Sequence, residues 1–141
     1  MLVDAMVRDA PAARRRSLGA DEVEFVQTAF ERILPELRDV PTRDYIDRKL
    51  RESSADRPAG AALDLYRDGI ACVQERCRRV HGRPFEALEI WHQLAMLAEL
   101  EDPESPGDGA RAFVLMLVND AAEAYFDAFG HFERPPGQDP R

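Results

Sequence analysis

The residue types needed for metal or redox chemistry are concentrated in residues 72–82, which contain both cysteines and one of the three histidines. On a helix, where each residue turns the chain by about 100°, Cys72 points about 140° away from Cys77 and about 180° away from His81. Ligands that diverge so far cannot converge on one tetrahedral ion, and a step of five residues is not the CxxC spacing of redox sites. Cys77 and His81, one turn apart, can supply two ligands at most. We therefore predict that this segment is structural.

Cys77 lies on an apolar stripe with helical spacing, so we expect it to be a small buried hydrophobe. Cys72 lies off that stripe, and a contact with a partner, or pairing with a cysteine of a partner, stays open as a hypothesis for it. The stripe consists of Leu63, Tyr66, Ile70, Val73, Cys77 and Val80.

Glu89 and His92 have the Glu-x-x-His spacing of carboxylate-bridged di-metal helical bundles. Those bundles use two such motifs and two further inward-facing glutamates, whereas this sequence has one motif. We expect Trp91 and Leu94 to define the buried side of this helix. No Gly-rich phosphate loop, nucleophile elbow or Ser/His/Asp arrangement is found. The sequence thus predicts no catalytic, cofactor-binding or metal-binding residues, with a metal-dependent helical-bundle enzyme using Glu89 and His92 as an alternative.

The composition favours one folded domain. The chain has 141 residues, 45% of them hydrophobic and 33% charged, with a net charge of −8, and this length can bury a real core. An acidic chain lacks the basic face that nucleic acid requires, and no run approaches the ~20 apolar residues of a membrane span. Three arginines at 14–16 are followed by charged residues rather than by the apolar stretch of a twin-arginine signal. We expect a cytoplasmic protein that neither binds nucleic acid nor inserts into a membrane.

Apolar residues recur at helical spacing in five segments, which predicts an all-α, single-domain bundle of about five helices. Residues 1–17 are predicted to form a flexible arm, residues 18–130 the helical domain and residues 131–141 a flexible tail. Six consecutive apolar residues at 113–118 leave no solvent face, so that helix is either central in the bundle or covered by a partner. The predicted helices cover about residues 20–37 with an end or kink at Pro35, a short segment with Thr42 as N-cap, and about residues 61–81, 85–100 and 110–129.

Several short motifs follow one another along residues 18–130. They are Leu18-Gly19-Ala20-Asp21-Glu22, Ile33-Leu34-Pro35, Tyr45-Ile46-Asp47-Arg48-Lys49-Leu50, Tyr66-Arg67-Asp68-Gly69-Ile70 and His81-Gly82-Arg83-Pro84-Phe85, and then an aromatic helix. In this order and spacing the chain resembles the gluconate 2-dehydrogenase subunit 3 family. These are small subunits of FAD-dependent sugar and polyol dehydrogenases whose catalytic subunit is a glucose-methanol-choline (GMC) oxidoreductase. Members often carry a twin-arginine signal and are then periplasmic, which this sequence does not match.

The resemblance implies a non-catalytic small subunit that binds and stabilises, in a chaperone-like way, a GMC-type flavoprotein in a hetero-oligomer. It implies FAD in the partner and no cofactor in this chain. The alternatives are a stand-alone helical adaptor or regulator and the metal-dependent enzyme described above. Aromatic residues at helical spacing can equally belong to the core. With that alternative open, the predicted partner contacts are Tyr45, Trp91, Phe113, Tyr125 and Phe126.

Overall fold

The computed structural model describes residues 17–53, 61–104 and 109–130. This part of the chain forms five α-helices and two short 3₁₀ turns, which confirms the predicted all-α single domain. The predicted tail at 131–141, and all of the predicted arm except residue 17, lie outside the described residues. The helices are α1 (Ala20–Ile33), α2 (Thr42–Ser53), α3 (Ala61–His81), α4 (Ile90–Glu101) and α5 (Ala110–Phe129), and the 3₁₀ turns are Pro35–Asp39 and Phe85–Ala87.

Local chemistry sets the ends of α1 and α3. Glu22 reaches back to accept a hydrogen bond from the backbone N–H of Gly19 at 2.8 Å, which satisfies a donor that α1 leaves open. Pro35 stops α1 as predicted, and a 3₁₀ turn follows. At the end of α3, Gly82 adopts a φ of 73° and its N–H donates to the carbonyl of Arg78 at 2.8 Å.

The core is an aromatic cluster between α1, α3, α5 and the second 3₁₀ turn. The ring of Phe25 on α1 lies 5.1 Å from that of Phe85 and 6.3 Å from that of Phe113. Tyr66 on α3 meets Phe113 edge to face at 5.9 Å, within the range where aromatic pairs are attractive. Three helices are therefore held by one cluster of rings.

Gly69 lets α3 and α5 approach closely. A Cβ atom added at Gly69 would lie 2.1 Å from Cγ of Phe113 and 2.2 Å from its Cδ1. The Phe113 ring thus rests directly on the backbone of α3, and a side chain at position 69 would push it away.

The helix predicted to begin near Phe85 begins instead at Ile90, because two buried glutamines hold the backbone of Phe85 in a turn. The N–H of Phe85 donates to Oε1 of Gln74 at 2.7 Å, and its carbonyl accepts from Nε2 of Gln93 at 2.9 Å. Buried backbone groups need partners. Here side chains from α3 and α4 supply them, so the backbone of Phe85 does not need the hydrogen bonds that a longer helix would provide.

The predicted orientation of α4 is wrong. Trp91 is 63% exposed and Leu94 is 47% exposed, so they lie on the outer side of the helix rather than the buried one. The buried side is formed by Gln93, Met96, Leu97 and Leu100. Two smaller predictions also fail, because Val80 is 57% exposed and Thr42 lies inside α2 with its hydroxyl unbonded rather than capping the helix.

Candidate functional site

The five predicted partner contacts divide between the core and the surface. Trp91 and Phe126 are 63% and 65% exposed, and Tyr125 is half-buried. Tyr45 and Phe113 are each only 5% exposed. The side chains of these two residues are packed within this chain, which is the core alternative that the sequence left open.

Tyr45 belongs to a polar cluster between α2 and α5. Its hydroxyl donates to Oε1 of Glu123 at 3.1 Å, and Nζ of Lys49 lies 3.0 Å from the same oxygen. Burial alone would raise the pKa of Glu123, but the hydrogen bonds from Lys49 and Tyr45 hold it below its usual value. Arg48 pairs with Asp127 one turn further along. The cluster joins two helices and is structural.

A second polar contact lies deeper, between α3 and α5. Asp120 is 3% exposed and accepts a hydrogen bond from the hydroxyl of Tyr66. Burial raises the pKa of Asp120, and the hydrogen bond from Tyr66 offsets part of that rise. Sequence reasoning missed this residue, because an aspartate in a helix is normally exposed.

Trp91 and His92 stack with His81 where α3 meets α4, with Trp91 exposed and the two histidines half-buried. Nε1 of Trp91 donates to Oε2 of Glu89 at 2.6 Å. The ring of His92 lies 3.7 Å from that of Trp91 and 4.5 Å from that of His81. Among the residues that the structure describes, no group of three or more His, Cys, Asp or Glu side chains is arranged to hold a metal ion. The Glu-x-x-His motif therefore gains no third ligand here.

The two cysteines occupy different environments. Cys77 is fully buried, as predicted, and burial raises the pKa of its thiol to about 11, so the reactive thiolate is scarce at neutral pH. Cys72 is half-buried and lines a groove between α3 and α5. The two thiols are not joined to each other in a disulfide.

The structure also exposes apolar residues that were not among the predicted partner contacts. Leu65, Ile90, Leu94 and Leu115 are each between 42% and 57% exposed. The sequence does contain a signal for this exposure, because the run at 113–118 is too apolar for a helix with a single buried face. α5 buries part of that run and leaves Leu115 in solvent, so the helix is central on one side and exposed on the other.

These features define an all-helical domain with an aromatic core and apolar side chains on the outside of α3, α4 and α5. The chain belongs to the gluconate 2-dehydrogenase subunit 3 family, whose model matches residues 20–129. The match extends from α1 to the end of α5 and confirms the resemblance seen in the sequence. Neither a curated protein nor a solved structure matched the chain. No helix in the described part of the chain is both long and apolar enough to cross a membrane.

Proposed function

We propose that this chain is a non-catalytic small subunit that binds and stabilises the FAD-dependent catalytic subunit of a GMC-type sugar or polyol dehydrogenase. The observation that carries the proposal is the family match over residues 20–129, because the family is defined by a subunit of gluconate 2-dehydrogenase. A subunit of such a complex acts through its surface. FAD and the oxidation chemistry then belong to the partner.

The exposed aromatic residues support this role. Interfaces are enriched in aromatic side chains, and exposed apolar patches mark places where another protein binds. Trp91 and Phe126 are both more than 60% exposed. Leaving large rings in water costs free energy that burial against a partner recovers.

The stabilising effect would follow from mass action. A subunit that binds only the folded flavoprotein adds RT ln(1 + [L]/Kd) to its free energy of unfolding, which is about 2.7 kcal/mol when the free subunit is at 100 times Kd. No chemistry by this chain is required. The flavoprotein would become more soluble and retain more FAD because its folded state is more populated.

Co-expression with the GMC-type flavoprotein of the same genome tests the proposal. We expect the two chains to copurify as a yellow complex, and we expect the flavoprotein alone to be less soluble, poorer in FAD and lower in melting temperature. The measurements are soluble yield, the ratio of absorbance at 450 nm to that at 280 nm, and dye-linked dehydrogenase activity. A flavoprotein that is soluble, FAD-loaded and fully active without this chain contradicts the proposal.

A further inference from the structure

The exposed apolar side chains are unevenly distributed. Among the described residues, every large hydrophobic side chain that is exposed lies on α3, α4 or α5, and none lies on α1 or α2. Scattered exposure is normal for a soluble protein, but clustering on one set of helices is not. These side chains are Leu65, Val80, Ile90, Trp91, Leu94, Leu115 and Phe126.

On α5 the outward side is uncharged over most of its length. Leu115, Asn119, Ala122 and Phe126 follow one another at steps of 4, 3 and 4 residues, so they form one stripe along the helix. From Leu115 to Phe126 this stripe spans about 16 Å. The helix therefore presents apolar residues both to the core and to solvent.

α4 carries a similar stripe beside that of α5. Trp91, Leu94 and Ala98 lie on its outer side, and the helix contains no lysine or arginine. Nε of Arg111, at the start of α5, donates to the carbonyl of Glu101 at the end of α4 at 3.1 Å. Leu115 lies one turn beyond Arg111 on the same side of α5, which places the two stripes next to each other.

On the side of α5 that faces away from α4, a groove between α3 and α5 continues the apolar surface formed by the two stripes. It has a volume of about 410 Å³, and among the described residues that line it Asp68 is the one that is charged. Leu65 and Cys72 form its α3 wall, and Met116, next to Leu115, lies on its α5 wall. We call this combined surface the apolar face, defined by Leu65, Cys72, Trp91, Leu94, Leu115 and Phe126.

The edges of the apolar face are acidic. Asp64 and Asp68 are exposed on α3. At the other edge, the exposed residues Glu99, Glu101, Asp102 and Glu104 cluster at or just beyond the C-terminal end of α4 and outnumber the exposed Arg111 at the start of α5. Glu99 pairs with Arg76 of α3 at 3.1 Å. Glu101, the last residue of α4, places a negative charge that opposes the helix dipole and costs stability.

We infer that the apolar face is the docking surface for the catalytic subunit, and that the partner presents an apolar patch bordered by lysine and arginine. This inference rests on the proposed function and adds the surface and the charge of the partner. A second copy of this chain fits poorly, because two chains of net charge −8 would bring acidic edges together. A partner with basic edges gains attraction at the same positions.

Competition during co-expression tests the apolar face. A tagged variant and the untagged wild-type chain are expressed together with the GMC-type flavoprotein, and the share of each in the yellow complex is measured by mass spectrometry. We expect Leu115→Arg and Leu65→Arg to lower the variant's share at least tenfold, because each would bury an unpaired charge in the interface. Both leucines are more than 40% exposed, and melting of the free variants confirms that they fold.

Ala71→Arg is the matched control. Ala71 is exposed on α3 but lies about 120° round the helix from Leu65. It follows one turn after Arg67, which pairs with Glu22 of α1 at 3.5 Å, so it lies on the flank nearest α1. The share of this variant should equal that of the wild-type chain.

Glu101→Lys tests the acidic edge. A lysine at this position suits the dipole of α4 and should leave the free chain equally or more stable, while its charge would repel a basic partner. We expect its share in the complex to fall severalfold, whereas Glu24→Lys on α1 should compete normally. Loss of binding by a variant that is not destabilised cannot be a folding defect.

The outcomes separate the inference from the proposed function. If the wild-type chain forms the complex and the leucine and Glu101 variants compete equally well, the docking surface lies elsewhere and the inference is overturned while the proposed function stands. If the wild-type chain does not bind the flavoprotein, the proposed function itself fails. A wild-type dimer in solution that Leu115→Arg dissociates would overturn the choice of partner.

Discussion

Replacing Gly69 with alanine tests the closest approach in the core, where α3 lies against the ring of Phe113. The new Cβ would lie 2.1 Å from Cγ and 2.6 Å from Cδ2 of that ring. Ordinary carbon contacts are about 3.5–4.0 Å, so the ring must move by more than 1 Å. Phe25 and Tyr66 pack against the same ring at 6.3 and 5.9 Å, and they restrict where it can go.

Two opposing terms set the size of the effect. Overpacking a core typically costs about 1–3 kcal/mol, whereas alanine in place of glycine inside a helix gains about 1 kcal/mol. Because the ring must move by more than 1 Å, the overpacking cost falls in the upper part of that range, about 2–3 kcal/mol. We therefore expect a net loss of about 1–2 kcal/mol in the free energy of unfolding. For a domain of this length that corresponds to a fall in melting temperature of roughly 5 °C.

Urea titration followed by circular dichroism measures this loss, and Gly130→Ala serves as the control. Gly130 has a helical φ of −57°, and a Cβ there would lie 3.5 Å from Phe126, an ordinary contact. We expect this control to be neutral or slightly stabilising. In a Phe113→Leu background the cost of Gly69→Ala should shrink by at least about 1 kcal/mol, because the smaller side chain leaves room. A Gly69→Ala variant as stable as the wild-type chain would refute the reasoning.

Three further predictions concern buried polar and titratable groups. Burial, with nearby carboxylates, raises the pKa of Tyr45 and Tyr66, so both stay protonated in the folded chain but ionise near pH 10 when unfolded. The free energy of unfolding should therefore fall above pH 10, by about 1.4 kcal/mol per tyrosine at pH 11, and a flat profile in urea titrations contradicts this. Gln74→Leu removes the acceptor for the N–H of Phe85 and should cost about 1–3 kcal/mol in the same assay. Because burial raises the pKa of Cys77 from 9.0 to about 11, the thiolate fraction at pH 8 is lower and the thiol should alkylate about a hundredfold more slowly than in urea, as read by mass spectrometry.

Features that depend on neighbouring residues could be read from the sequence. α3 spans Ala61–His81, the predicted range, and α1 ends just before Pro35. Gly82 supplies the positive φ that ends α3, and proline ends α1 by removing a backbone donor. Each signal acts over one helical turn and needs no knowledge of the rest of the chain.

The start and the orientation of α4 could not be read in this way. The turn at Phe85 depends on Gln74, 11 residues earlier, and on Gln93, 8 residues later. Hydrogen bonds of this range leave no periodic pattern. The prediction of which side of α4 is buried was wrong because α4 is apolar on two sides. Trp91 and Leu94 therefore matched the spacing of a buried stripe although they lie on the outer side. Periodicity identifies the buried side of a helix only when the other side is polar.

The same ambiguity explains why only some of the predicted partner contacts are exposed. Tyr45 and Phe113 satisfy the aromatic pattern as well as Trp91 and Phe126 do, yet they are 5% exposed. Tyr45 is held by Glu123, 78 residues away in sequence. Tyr45 and Phe113 are buried because α2 and α3 pack against α5, and the aromatic pattern in the sequence does not reveal that packing.

The contacts on the buried side of α5 determine how rigid its exposed side is. Phe113 rests on the backbone of α3, Asp120 accepts from Tyr66 of α3, and Glu123 is bonded to Lys49 of α2. These three contacts follow one another along the helix, so α5 is fixed along most of its length from within. A surface fixed before binding loses less conformational entropy when it docks. These contacts thus hold the apolar stripe from Leu115 to Phe126 in a fixed position, which would suit the docking role proposed for it.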